Sequence, residues 1–126
     1  MKKPADLAMT QNIVDLTDTE IIELAEPLLQ NLLDGSDELN YEKFGRDFSH
    51  GMKTVMPHGM FMEQSVGIRQ VRGKCVARKA LGVLRKNKTA LVIWCAQYEK
   101  TSDDMLIQLK LSYENDQLVI SGALIT

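Results

Sequence analysis

The stretch Met105–Tyr113, MLIQLKLSY, decides the fold because apolar side chains alternate along it with Gln108, Lys110 and Ser112. Successive side chains of a β-strand point to opposite faces of the sheet, so this period of two predicts a strand with one face in the core. The inward residues are Met105, Ile107, Leu109, Leu111 and Tyr113. Such a strand needs partners beside it, and the neighbouring sequence supplies them.

The period of two begins at Lys74 and continues to the end of the chain. It predicts four strands, near residues 74–86, 90–99, 104–113 and 118–125. Short polar turns separate them, at Asn87-Lys88, Thr101-Ser102 and Asn115-Asp116. Connections this short allow only antiparallel hairpins, so the second half of the chain is predicted to be a meander.

A helical period precedes the strands. Thr17 and Glu20 have the spacing of a capping box, and apolar residues then recur at helical spacing as far as Gly35, a typical helix stop. Pro27 lies inside this run and predicts a kink or a helix in two pieces. A further helix is predicted after Pro57.

A short helix between these two is predicted to start at Asn40, a favourable N-cap. Tyr41, Phe44 and Phe48 fall on one face of it, which places the aromatic rings on the core side and the charged residues in water. Helices followed by strands predict an α+β domain over residues 17–126, with one sheet covered on one face by helices.

Length and charge limit the function classes. The chain has 126 residues and a formal net charge of −2, which fits one domain and gives no basic excess for binding nucleic acid. It has no uncharged apolar run long enough to span a bilayer, so we expect no membrane partner and a cytoplasmic location. Residues 1–16 are mixed in character and are predicted to be an N-terminal tail or a docked segment.

The two cysteines indicate neither a metal site nor a disulfide. Cys75 and Cys95 do not lie in a spacing typical of zinc ligands, so no metal and no cofactor are expected. The predicted register places Cys75 opposite Lys100, roughly 17 Å along the strand from Cys95, which is too far for a bond within one subunit.

The strand register decides which residues face outwards. If Thr101-Ser102 is a two-residue turn, Leu109 lies opposite Trp94. The inward set then gains Val92, Trp94, Ala96, Tyr98, Leu118, Ile120, Gly122 and Leu124. The outward set is Leu91, Ile93, Cys95, Leu106, Val119, Ala123 and Ile125. This outer face is too apolar to remain in water, so we expect a homodimer through it or a cover by residues 1–16. The interface candidates are Leu91, Ile93, Cys95, Val119 and Ala123.

Two adjacent cations, Arg78 and Lys79, lie in the first predicted strand, so one of them must point inwards. A turn centred on Asn87-Lys88 pairs Lys79 with Ala96 and makes Lys79 the inward one. It then either reaches the rim of the sheet, is turned out by a bulge, or is a cavity cation that meets an anionic ligand.

The order of the predicted elements along the chain resembles that of a known superfamily. A first helix is followed by a short helix that begins at Asn40-Tyr41-x-x-Phe44, then by Ser49-x-x-Met52-Lys53, a third helix and a meander that ends in VISGALI at 119–125. This order resembles the NTF2-like (cystatin-like) cone superfamily over about residues 18–126, and within it small uncharacterised bacterial domains of the DUF3887 type. The resemblance implies a curved antiparallel sheet of four or slightly more strands with the helices in its concave face, a cavity at the open end and frequent dimerisation through the sheet.

The resemblance alone does not decide the activity, because the superfamily includes isomerases, dehydratases and epoxide hydrolases beside many members without a known activity. A steroid-isomerase type of site requires an inward carboxylate as the base, and the middles of the predicted inward strands contain none. His58 is a weak catalytic candidate, since no nucleophile or orienting acid accompanies it in the sequence. The ligand-pocket candidates are Tyr41, Lys79, Trp94 and Tyr98.

These observations together predict a non-catalytic, dimeric domain that binds a small ligand in the cone cavity, an anionic one if Lys79 points inwards. One alternative is an isomerase or hydratase that uses the same cavity with His58 as its acid or base. The other is an interaction module in which residues 1–16 bind a partner protein.

Overall fold

Helices and a four-stranded antiparallel sheet make up residues 12–126, the part of the chain that this computed structural model describes. The helical elements are a 3-10 turn (Ile13–Asp15), α1 (Asp18–Asp37), α2 (Tyr41–Phe44), α3 (His50–Val55) and α4 (His58–Val71). The strands are β1 (Cys75–Lys86), β2 (Thr89–Tyr98), β3 (Met105–Glu114) and β4 (Gln117–Ile125), and they lie side by side in that order. The predicted α+β class is confirmed. None of the described helices is long and apolar enough to cross a bilayer.

The strands begin and end within one residue of the predicted bounds. Asn87 and Lys88, and likewise Asn115 and Asp116, have positive φ angles, as two-residue hairpin turns require. The predicted turn at Thr101-Ser102 is wrong in length, because the connection from β2 to β3 spans residues 99–104. The register therefore moves by two residues, so that Trp94 pairs with Ile107 instead of Leu109. A shift of two leaves the faces unchanged.

The inner face of the sheet carries the core, as predicted for β2 and β3. Its buried members there are Val92, Trp94, Ala96, Tyr98, Met105, Ile107, Leu109 and Leu111. The helices contribute Ile21, Ala25, Leu29, Leu32, Phe44 and Phe61 from the opposite side. The helical layer and this one face of the sheet thus enclose a common hydrophobic core.

Helix α1 begins with the predicted capping box, in which the Glu20 amide donates to the Thr17 hydroxyl and the Thr17 amide donates to the Glu20 carboxylate. The helix continues through Pro27 without dividing. The predicted stop at Gly35 is wrong, because the helix runs to Asp37. Gly35 serves a close approach instead: a Cβ there would lie 2.5 Å from the Phe44 amide nitrogen.

The short aromatic helix is shorter than predicted. Asn40 caps it by accepting from the Lys43 amide, but α2 ends at Phe44. Phe48 instead forms a parallel β-bridge with Ile120, although its ring still lies 5.1 Å from that of Phe44. Two backbone hydrogen bonds of 2.7 and 2.8 Å join Ile120 to residues 47 and 49. Residues 47–49 therefore cover part of the outer edge of β4.

The described part of the N-terminal segment, residues 12–16, is docked on the domain. Ile13 is fully buried in the same core as Leu111. The Arg85 guanidinium donates to the carbonyl oxygens of Val14 and Leu16, at 3.1 and 2.6 Å. These residues therefore pack on the inner side of the sheet and do not cover its outer face. Residues 1–11, the rest of the predicted tail, lie outside the described part of the chain.

Register shifts in the two edge strands correct the predicted faces. One extra residue, Leu81, enters β1, so that Arg78 pairs with Ala96 and Lys79 with Cys95. Arg78 is the inward cation and Lys79 lies on the outer face, which is the bulge alternative for this pair. A second extra residue in β1, Val76, lies next to Cys75, which pairs with Tyr98.

A similar shift in β4 reverses the faces at the end of the chain. Ser121 is the extra residue there, so that Ala123 pairs with Leu109 and Ile125 pairs with Ile107. The prediction that Ala123 lies on the outer face is therefore wrong, and Leu124 takes an outward position, 53% exposed. A bulge inserts one residue on one strand only, and this changes the face of every residue beyond it.

Gly35→Ala should lower the free energy of unfolding by about 1–3 kcal/mol, because the added methyl group would collide with the backbone of Phe44. The matched control is Gly51→Ala in α3, where a Cβ meets no heavy atom within 4 Å. Urea unfolding of the three proteins checks this expectation. Equal losses in the two variants would contradict the close approach of α1 and α2.

Candidate ligand-binding cavity

A cavity of about 530 Å³ lies between the helices and one end of the sheet. The start of β1 and the ends of β2 and β4 form one wall, and α1, α3 and α4 form the others. Its volume falls within the range of small-molecule sites in proteins. The cavity is therefore large enough to hold an organic ligand.

The lining is mostly apolar and becomes polar toward one end. The apolar part includes Leu32, Phe44, Met52, Met56, Phe61, Ile68 and Ile125. The polar part includes Asp37, Arg72, Cys75 and Tyr98. An apolar body with a few convergent polar groups is typical of a ligand pocket.

Tyr98 is the unusual residue of this lining. Its side chain projects from the last position of β2 and the residue is only 5% exposed. Its hydroxyl is buried and has no hydrogen-bond partner among the described residues. Burial raises the pKa of Tyr98 to about 12, helped by the nearby Cys75 and Asp37. The hydroxyl therefore stays neutral at physiological pH and offers an unused donor, an arrangement that costs about 1–3 kcal/mol.

Two neighbours of Tyr98 also have raised pKa values. Burial raises the pKa of the Asp37 carboxyl, and the charges of Lys74 and Arg69 oppose the shift only in part. Burial also raises the pKa of the Cys75 thiol, against the opposing charge of Arg78. Desolvation therefore disfavours the charged form of all three groups.

The inward cation is already paired. Arg78 donates to the Glu26 carboxylate at 2.9 and 3.1 Å and to the Gln30 side-chain oxygen at 3.0 Å. The other oxygen of Glu26 accepts the indole N–H of Trp94 at 2.8 Å. This cluster joins α1 to β1 and β2 and uses the charge of Arg78 within the fold.

Of the four predicted pocket residues, the cavity is lined by Tyr98 alone. Trp94 is fully buried in the core behind it, and Lys79 is on the outer face. The Tyr41 hydroxyl donates to the carbonyl of Met56 at 2.6 Å, so it joins α2 to the end of α3. Lys79 was misplaced because the bulge in β1 turns it to the outer face. Trp94 was misplaced because its indole N–H is bonded to Glu26 on α1, within the core.

His58, the weak catalytic candidate, is exposed at the first position of α4. Its ring packs edge-on against that of Tyr41, with centroids 5.1 Å apart, and it does not line the cavity. The described structure therefore gives His58 a packing contact at the surface. An acid or base in the cavity would have to be another residue.

The predicted interface residues divide into three groups. Leu91, Ile93 and Cys95 are half-buried on the outer face of the sheet, as predicted. Val119 is only 6% exposed within the single chain, which leaves it little area to offer a second copy. Ala123 faces inwards and lines the cavity.

Sequence reasoning missed Asp37, Arg72 and Cys75 as lining residues. The predicted register already placed Cys75 on the same face as Lys79, and the two extra residues of β1, Val76 and Leu81, cancel in their effect on its face. It was missed because its pairing with Tyr98, in place of the predicted Lys100, is what brings it to the cavity. Asp37 became detectable only once α1 was known to continue past Gly35. Within residues 12–126, no three His, Cys, Asp or Glu side chains come together in a way that could hold a metal ion.

Tyr98→Phe should raise the free energy of unfolding at neutral pH by about 1 kcal/mol, since it removes a buried hydroxyl without a partner. The two proteins should diverge further in alkali. Between the unfolded pKa of 10 and the folded pKa of about 12, the unfolded state has lost the tyrosine proton and the folded state has kept it. Wild-type stability therefore falls by about 2 kcal/mol over this window, and the variant lacks this loss.

Urea unfolding at neutral pH and at several values above pH 10 measures this difference, with Tyr113→Phe on β3 as the matched control. A Tyr98→Phe variant that is less stable than wild type at neutral pH would show that the hydroxyl has a partner in the folded protein.

Comparison with known proteins adds no assignment: no family model matches the chain, and searches of the curated proteins and of the solved structures gave no match. The cavity and the surfaces of the sheet are the features of this chain that bear on its function.

Proposed function

We propose that this chain is a binding domain of the NTF2-like cone type, which holds a small, mostly apolar and uncharged molecule in its cavity and does not transform it. The observation that carries the proposal is the buried Tyr98 hydroxyl, which lines the cavity and has no partner among the described residues. A ligand with a carbonyl or hydroxyl oxygen would accept this hydrogen bond and remove the penalty of leaving it unmade.

The buried groups at the polar end of the cavity support an uncharged ligand, and the Arg72 guanidinium that also lines this end can donate to a neutral oxygen. The pKa values of Asp37, Cys75 and Tyr98 are all raised by burial, so a charge placed beside them would also lose hydration. An anionic ligand was expected on the basis of Lys79, which lies on the opposite face of the sheet. Arg78, the inward cation, is paired with Glu26.

The position of His58 favours binding over catalysis. An isomerase or hydratase needs a proton carrier within hydrogen-bond reach of its substrate. His58 was the residue proposed for that role, and it is exposed outside the cavity. The alternative of an interaction module formed by residues 1–16 loses part of its proposed binding segment, because Ile13 belongs to the core. Such a module would have to use residues 1–11. As part of the same proposal we place the domain in the cytoplasm, where Cys75 and Cys95 would remain unpaired.

Native mass spectrometry of the gently purified protein is the first test. Extra mass that is retained on the native protein and lost on denaturation would support the binding function, and its value would begin to identify the ligand. A purified protein without extra mass that also binds none of the probes below would overturn the proposal.

A matched pair of probes tests the charge preference. 2-Acetylnaphthalene and 2-naphthoate share one ring system, and they differ in whether the oxygen acceptor is neutral or anionic. We expect the ketone to bind more tightly than the carboxylate, and Tyr98→Phe to weaken ketone binding about five-fold, which is the effect of one neutral hydrogen bond. Tyr113→Phe should leave its affinity unchanged. Fluorescence titration measures all of these affinities, and tighter binding of the carboxylate would contradict the proposal.

The same proposal includes a homodimer formed through the outer face of the sheet. Leu84 pairs with Leu91 there, Cys95 pairs with Leu106, and Leu124 lies across β3 from Ile93. Leu84 and Leu124 are 58% and 53% exposed, and Leu81 beside them is 59% exposed. Because residues 12–16 pack on the other side of the sheet, the described part of the chain leaves this apolar face uncovered. Lys79 and Lys110 also lie on this face, and both are exposed, so a second copy would cover its apolar part while these lysines reach solvent.

Ile93→Glu and Leu84→Glu should each convert the dimer into a monomer, since both would bury a carboxylate in an apolar interface. Val55→Glu is the matched control, because Val55 is exposed on α3, away from the sheet. Sedimentation velocity reads the result. A wild-type protein that is monomeric at every concentration tested would remove the dimer from the proposal and leave the cavity unaffected.

A further inference from the structure

The two edges of the sheet differ in how they are covered. The outer edge of β4 is joined at Ile120 to residues 47–49 by backbone hydrogen bonds. Strand β1 pairs only with β2 in the described sheet. Apart from that ladder, residues 76–85 make no backbone hydrogen bond to any described segment. A long strand with an open edge presents unpaired N–H and C=O groups, which can pair with another extended chain.

Hairpin geometry identifies the amides that point to the open edge. The Asn87-Lys88 turn has positive φ at both residues, and Lys86 pairs with Thr89 across it. In such a two-residue hairpin the flanking residues form a hydrogen-bonded pair, and hydrogen-bonded and non-bonded pairs then alternate. The backbone groups of Val83 and Arg85 therefore point away from β2.

The charged side chains of β1 and of the turn after it have one sign. The sequence contains no acidic residue between Glu63 and Glu99, although the whole chain carries a formal net charge of −2. Two cations of β1 are used inside the fold, Arg78 with Glu26 and Arg85 with Asp18. Lys79 and Lys86 of β1 and Lys88 of the turn are exposed and have no ion pair within residues 12–126.

We propose that the open edge of β1 binds an extended acidic segment of a partner protein by strand addition. The unpaired backbone groups of Val83 and Arg85 form the ladder, and the exposed lysines select an acidic sequence. Lysines and bulges also protect a strand edge from pairing with itself. They exclude a second copy of this chain as the occupant, since two rows of lysines would then face each other, whereas an acidic segment would neutralise them.

A short acetylated and amidated peptide in which Glu and Val alternate is the probe. We expect it to bind the full chain, and we expect the amides of Val83 and Arg85 to exchange more slowly with deuterium in the complex. Nuclear magnetic resonance follows both amides individually. The same peptide N-methylated at its central amides keeps the charge but cannot form the ladder, and it should bind about ten-fold more weakly.

Charge reversal on the protein supplies the second test. The double variant Lys79→Glu and Lys86→Glu should weaken peptide binding about ten-fold at low salt, since it replaces two attractions by two repulsions. Its control is Lys53→Glu with Arg69→Glu, which makes the same change in net charge on α3 and on α4. All four residues are exposed, so both double variants should fold, and circular dichroism checks this.

Three outcomes would overturn the proposal. The first is equal binding of the methylated and unmethylated peptides, which would leave only attraction between charges. The second is equal weakening by the two double variants. The third is a single-stranded oligonucleotide that competes as well as the peptide while the Val83 and Arg85 amides stay unprotected, which would identify a general anion surface.

Discussion

The strict alternation of side chains along a β-strand is the constraint on which the rest of this structure depends. It places the apolar residues of β2 and β3 against the helices and leaves no freedom in the choice of face. The alternation is interrupted in the two edge strands by single extra residues, which are Val76 and Leu81 in β1 and Ser121 in β4. The insertion of Ser121 brings Ala123 to the inner side, where it lines the cavity with Cys75. The β4 part of the cavity wall is therefore a result of a bulge at the edge of the sheet.

A second consequence of the alternation is a cation on the inner side of the sheet. Arg78 is only partly accessible, and an unpaired charge in that position would be costly. Glu26 pairs with it and also accepts from Trp94, so one carboxylate satisfies two donors from neighbouring strands. The pair is close to the cavity: burial raises the pKa of Cys75, and the positive charge of Arg78 offsets part of that rise. The pair holds α1 against the sheet, so that, among the described residues, Arg72 is the cation that lines the cavity.

The fold class and the strands could be predicted because their signals are local. A two-residue turn such as Asn115-Asp116 fixes the partner of every residue in its hairpin, and the backbone confirms it with positive φ at both positions. A bulge in β1 was one alternative for Lys79, whereas the bulges at Val76 and Ser121 were not predicted, since a single extra residue leaves no mark on a period of two. Phe48 shows the same limit: its spacing from Phe44 fits a helix, yet it forms a bridge with Ile120, which bonds the Asp47 carbonyl and the Ser49 amide on either side of it. In the cavity, Tyr98 was predicted from the alternation of β2, whereas Asp37 was not, because α1 was expected to end at Gly35.

Strand β1 links the two proposed functions because it contributes the least to the core. None of its residues is fully buried, whereas the inward residues of β2 are. It is held mainly by its ladder with β2 and by the ion pairs of Arg78 and Arg85 with α1. A strand held in this way can present Cys75 to a ligand at one end and open backbone groups to a peptide at the other without exposing the core. The hydrophobic core depends neither on Cys75 nor on the open backbone groups of β1, so both can contact a ligand without loss of core packing.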